Sequence, residues 1–179
     1  MRIADLDFIL VPEWLARDGG RQPDSDHWIS RWQRNIKSAS WLKTHNVSAR
    51  EALLDQCVAN RRPTIIITHG HGVDVLLDIG PDLADTPAAG AFIVAPAPRS
   101  GDLDAAAAGA LPLPVPSVIV APDDHPDIST DVAQSLSDAL GGHFVAAGLA
   151  GRLDSSTGQG PWPEGLMRLG WFLKRLSAH

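Results

Sequence analysis

Four short apolar runs punctuate the chain: DFILVP (7–12), PTIIITH (63–69), AGAFIVAP (89–96) and PSVIVAP (116–122). Each is continuous rather than alternating, which is the pattern of a strand covered on both faces. HFVAAG (143–148) and SASWLKT (38–44) are weaker strand candidates. Between these runs the apolar positions recur at helical spacing, over about 25–35, 48–60, 72–80, 129–141 and 163–177. Punctuation agrees with the periodicity. Ser48 and Glu51 form a capping box, Gly141 closes the helix that starts near Thr130, and Pro163 suits a first helical turn. Leu166, Leu169, Leu173 and Leu176 form a helical stripe expected in the core, as are Trp28 and Trp32, four residues apart. Strand and helix thus alternate. The expected fold class is α/β: a single three-layer α/β/α domain over 1–179, with a mostly parallel sheet and a binding site at the carboxyl ends of its strands. RSGDLDAAAAGALPLP (99–114) reads as a surface loop or short irregular helix.

Composition narrows the partners. With 179 residues, 44% hydrophobic and 20% charged, the chain suits one globular domain, and a net charge of −6 argues against a phosphate-backbone binder. No apolar run approaches the roughly 20 residues needed to span a bilayer. The single cysteine, Cys57, cannot form an internal disulfide, and MRIADLDFILVPEW lacks a secretory pattern. A soluble, cytoplasmic protein with neither nucleic-acid nor membrane partners is expected. Sixteen glycines and fourteen prolines fit many turns.

In a parallel sheet the informative residues directly follow the strands. They are Glu13 and Trp14, then HGHG (69–72), APR (97–99), DDHPD (123–127) and LAGRLDSS (149–156). Thr68, Gly70 and Gly72 give the turn after the TIIITH strand the steric outline of a nucleophile elbow, a sharp strand-to-helix bend with small residues around a strained central one. The central position is Gly70, which has no side chain to attack a substrate. Centring the motif on His71 instead places His69 and Val73 in the small positions, which defeats its steric purpose.

The order of HWISRW (27–32), THGHG (68–72), LPLPVPSVIVAPDDHP (111–126) and WPEGL (162–166) resembles the small α/β-hydrolases that include YdeN-type bacterial proteins and the retinoblastoma-binding serine hydrolase. The resemblance covers nearly the whole chain and implies a small α/β-hydrolase fold. It also implies hydrolysis of an ester or amide by a serine, acid and histidine triad wherever the residues match. Here they largely do not. The serine slot is Gly70. The family's Asp-Asp-Pro turn is Asp123, Asp124, His125, Pro126, so Asp124 is the nearest carboxylate. The histidine slot, thirteen residues ahead of Gly165, is Arg152, and the glycine-rich segment after the first strand is the altered PEWLARDGG (12–20).

Without a hydroxyl there is no acyl-enzyme, and an arginine stays protonated and cannot act as a base. The expectation is therefore a pseudoenzyme that takes no cofactor and binds a small molecule or a protein partner in the old cleft. Candidate ligand-binding residues are Glu13, Trp14, His69, Gly70, His71, Asp124, His125 and Arg152. The alternative is a hydrolase that activates water, with His71 or His125 as the base and Asp124 orienting it. A metal is a further option: THGHGVD is similar in outline to the Thr-His-x-His-x-Asp motif of metallo-β-lactamase-like hydrolases, and His69 and His71 could share a metal with Asp124 or His125. Val73 stands where that motif has its Asp. Simpler roles stay open too. His69 and His71 can be solvent-facing turn residues, Asp123 and Asp124 can cap their turn, and Arg152 can pair with one of those carboxylates.

Overall fold

The structure, a computed structural model, describes residues 2–13, 23–44, 47–98, 106–107 and 109–177. Trp14, most of PEWLARDGG and residues 99–105 of the expected loop lie outside the described residues. Among the described residues six strands form one sheet: β1 (Asp7–Val11), β2 (Ala39–Trp41), β3 (Thr64–His69), β4 (Ala88–Val94), β5 (Ser117–Ala121) and β6 (His143–Ala146). Their spatial order is β2-β1-β3-β4-β5-β6, and every pairing is parallel. The α/β layering expected from the alternating pattern is present, including both weak strand candidates, which form the two edges.

The continuous apolar runs are explained by two cores, one on each face. Along β1, Phe8 and Leu10 enter one core while Ile9 and Val11 enter the other. The same alternation separates Ile65 and Ile67 from Ile66 in β3, and Phe92 and Val94 from Ala91 and Ile93 in β4. Side chains point alternately up and down from a strand, so a strand covered on both faces needs an apolar residue at every position. Each fully buried Ile, Leu or Phe contributes about 1.5–3 kcal/mol.

Helices α1 (Trp28–Asn35), α2 (Ala49–Ala59), α3 (Gly72–Ile79), α4 (Thr130–Ala139) and α5 (Pro163–Leu176) cover the sheet. Helix α2 has the expected capping box: the Glu51 N–H donates to Ser48 Oγ at 3.2 Å and the Ser48 N–H to Glu51 Oε2 at 3.0 Å. Trp28 and Trp32 are buried and pack edge to face at 4.7 Å. One stripe assignment fails. Leu166 is 44% exposed, because the inward face of α5 runs through Gly165, Leu169, Phe172 and Leu173. Buried Trp162 lies over Gly165, so the helix turns Leu166 to the outside. Among the described residues no helix is long and apolar enough to cross a membrane.

Candidate active site

The elbow is present. Strand β3 ends at His69, Gly70 adopts φ +55°, and α3 starts two residues later at Gly72. Position 72 must be glycine, since a Cβ there would lie 2.2 Å from the Val11 carbonyl oxygen. The bend is pinned from the next strand end: the Gly70 N–H donates to Val94 O at 3.2 Å, and its carbonyl accepts from Ala97 N at 3.2 Å and Val73 N at 3.3 Å. The positive φ is the backbone state that glycine reaches without strain and a serine does not.

Glu13, two residues beyond β1, leans over this bend. A Cβ on Gly70 would meet its Cγ, Cδ and Oε2, each at 3.1 Å, so the carboxylate fills the direction in which a nucleophile would project. His71 sits beside it, with Nε2 3.5 Å from Glu13 Oε1. Its Nδ1 bonds the Ala97 carbonyl, which can only accept, so Nδ1 carries the hydrogen. Nε2 therefore faces the carboxylate, and a proton placed there makes an imidazolium–carboxylate pair. His71 caps α3 by position only, with no side-chain cap bond.

His69 is not a solvent-facing turn residue. It is 1% exposed, and Nε2 bonds the Arg152 carbonyl at 3.1 Å. Its ring lies edge-on to Trp28 at 5.6 Å and to His27 at 4.9 Å. Burial, with His27 acting in the same direction, pulls its pKa down to about 4 and keeps it neutral. The bond to Arg152 also ties the 150–153 loop to the end of β3.

Asp124 joins the same corner by a different route. Asp124 Oδ1 accepts the backbone N–H groups of Ala150 and Gly151, each at 2.8 Å, and these bonds hold its carboxyl below the usual range. Asp124 thus acts as a turn cap for the 150–153 loop. Arg152 does not pair with Asp123 or Asp124; its guanidinium forms its ion pair with Asp127. The reason is local. Asp124 is engaged by the amides just before Arg152, and the arginine side chain reaches outward from the turn. His125 is buried, accepts the Asp127 N–H on Nδ1 at 3.2 Å, and has its pKa lowered by burial. The structure therefore gathers Gly70, Asp124 and Arg152 at the carboxyl ends of the strands without linking the Asp124 and Arg152 side chains to one another.

Two features were not legible beforehand. Asp154 accepts from Ser156 Oγ at 2.6 Å and Thr157 N at 3.1 Å, and its charge acts on His27, His69 and His125. Burial pushes its carboxyl up, but those hydrogen bonds hold it below the ordinary value. Its Asp-Ser-Ser context signals a cap, which hides the electrostatic role. Glu13 is a candidate ligand-binding residue from its place after the first strand, but nothing in PEWLARDGG signals that it lies across Gly70. Among the described residues no group of three or more His, Cys, Asp or Glu is arranged to hold a metal. Cys57 is buried and its thiol is pushed up to about 11 by burial, so it offers no thiolate.

Comparison with known proteins agrees with this fold. The serine hydrolase family matches residues 9–171. A YdeN-like hydrolase from Pectobacterium atrosepticum is 27% identical, with a TM-score of 0.80 over 97% of this chain and 94% of that one. An α/β hydrolase of unknown function from Agrobacterium tumefaciens is 13% identical, with a TM-score of 0.65 over 100% of this chain and 88% of that one. The esterase domain of a Rhodothermus marinus protein is 12% identical, with a TM-score of 0.61 over 94% and 87% of the two chains. The last two likenesses concern the fold alone. No curated protein matches the chain.

Proposed function

We propose, from the premise that this chain belongs to the serine hydrolase family, that it is a pseudoenzyme: it binds a small acyl or peptide-like ligand, or a protein partner, at the former active-site cleft and forms no acyl-enzyme. The observation that carries this reading is the elbow itself. Its bend is kept, its nucleophile position is Gly70, and the Glu13 carboxylate lies where the attacking group would stand. Acyl transfer builds negative charge on the substrate oxygen next to that position, and a serine hydrolase stabilises it with donors. A carboxylate there opposes the same charge. Arg152, in the histidine slot, cannot take a proton from a nucleophile.

Two assays test the reading on the intact protein. A fluorophosphonate probe should leave it unlabelled, and p-nitrophenyl butyrate should be hydrolysed no faster than in buffer. Saturable binding of short acyl-peptides, followed by thermal shift, should weaken on Glu13→Lys. Reproducible ester turnover that disappears in His71→Ala would overturn the proposal.

The same outcome would favour a second reading, water activation by the His71–Glu13 pair, which the 3.5 Å approach of the two groups supports. That activity would be insensitive to chelators and would fall to background on losing either member of the pair.

A further inference from the structure

We propose that the outer face of α5 is the contact surface of a symmetric homodimer, in which two copies pack their α5 helices antiparallel beside the β6 edge. The argument starts from an imbalance in the layers. Among the described residues one sheet face is covered by α2, α3 and α4, while the core on the other face is built with α1 and α5. The less covered corner is at β6. There Val145 lines an apolar groove with Met167, Trp171 and the stems of Glu164 and Arg168.

Met167 is 74% exposed, Trp171 38% and Leu166 44%, so three large apolar side chains lie on one stretch of one helix. Scattered singly, as Leu166 is, such residues need no explanation; Met167 and Trp171, gathered with Val145 around one groove, mark an interaction surface. The adjoining strand is an edge, with open backbone groups along one side. Arg168 covers part of that edge by donating to the Ala146 carbonyl at 3.3 Å.

The charges on the same face select the occupant. Glu164 stands in the first turn of α5, and Lys174 and Arg175 stand in the last. In an antiparallel pair centred near Gly170, the acidic end of each helix meets the basic end of the other, and Met167, Arg168 and Trp171 meet across the axis. Self-complementarity of this kind is what a two-fold interface requires. The opposed helix dipoles add to it. Gly170 supplies an independent sign. A Cβ there would meet nothing within 4 Å inside the chain, so internal packing does not call for this mid-helix glycine, which costs about 1 kcal/mol relative to alanine. A close helix crossing does call for it. One helix face plus the strand beside it is a small patch, so the association belongs in the micromolar range.

The test is sedimentation velocity on the full chain over about 1–200 µM. The wild type should show a concentration-dependent monomer–dimer equilibrium. Trp171→Asp and Met167→Asp should each weaken it by about tenfold or more, with unchanged circular dichroism. Glu164→Lys should weaken the dimer, and adding Lys174→Glu and Arg175→Glu in the same chain should restore it. A wild type that is monomeric throughout would overturn the proposal. So would a dimer that survives the Trp171→Asp, Met167→Asp double variant, because its interface would lie elsewhere.

Discussion

Gly70 is held in place by two constraints that act together. Its φ of +55° penalises any side chain, and the space a side chain would enter is taken by Glu13. Gly70→Ser should therefore cost about 1 kcal/mol or somewhat more in stability. Combined with Arg152→His it should still yield no esterase, because the new hydroxyl would be crowded by the Glu13 carboxylate. Adding Glu13→Gly removes both the crowding and the opposing charge. The triple variant should then acquire fluorophosphonate labelling that the double variant lacks, and equal labelling of the two would show that Glu13 does not block the slot. The bend at Gly70 was readable from THGHG, because small residues around a strained position are a local pattern. Glu13's part was not readable. Which way a side chain leans after a strand depends on the neighbouring strand end, fifty-odd residues away in sequence.

At the scale of the element, the strand–elbow–helix unit depends on one close approach. Gly72 brings the start of α3 against the carbonyl of Val11, and a methyl group there would sit 2.2 Å from that oxygen. Backbone cannot swing aside as a flexible side chain can. Gly72→Ala should thus displace α3 from β1 and cost about 1–3 kcal/mol, read as a lower urea midpoint with an unchanged slope. A midpoint equal to the wild type would mean that the unit yields more easily than its geometry indicates. Elements of this kind were the most legible part of the chain. Apolar runs such as TIIITH specify a buried strand, and Ser48 with Glu51 specifies a helix start, using only local information. Leu166 shows where local information stops. A leucine stripe has the helical period, but Trp162 and Gly165 decide the rotation of α5, and that is a packing outcome.

On the scale of the whole molecule, the sheet buries histidines beside the site, and this sets how the fold answers to acid. His69 ends a fully buried strand and His27 lies against it, and burial brings each pKa down to about 4. His125, lowered by burial as well, acts with the same sign. In the unfolded chain a histidine titrates near 6.5. The folded values are depressed, so the unfolded state binds more protons at intermediate pH. The stability from neutral burial is then complete above about 6.5 and is lost as the pH falls from there through about 4. Asp124 and Asp154, both held below 3.8, stay ionised between pH 7 and pH 5, so a slope in that interval belongs to the histidines. Urea unfolding at these two pH values should show a loss on the order of 2–4 kcal/mol. His69→Gln removes one titration and retains a donor for the Arg152 carbonyl, so its loss should be clearly smaller. If stability is the same at pH 7 and pH 5, or His69→Gln shows the wild-type loss, the buried pair does not govern the acid response. The corner around Gly70 and Arg152 would then be coupled to the fold only through its hydrogen bonds.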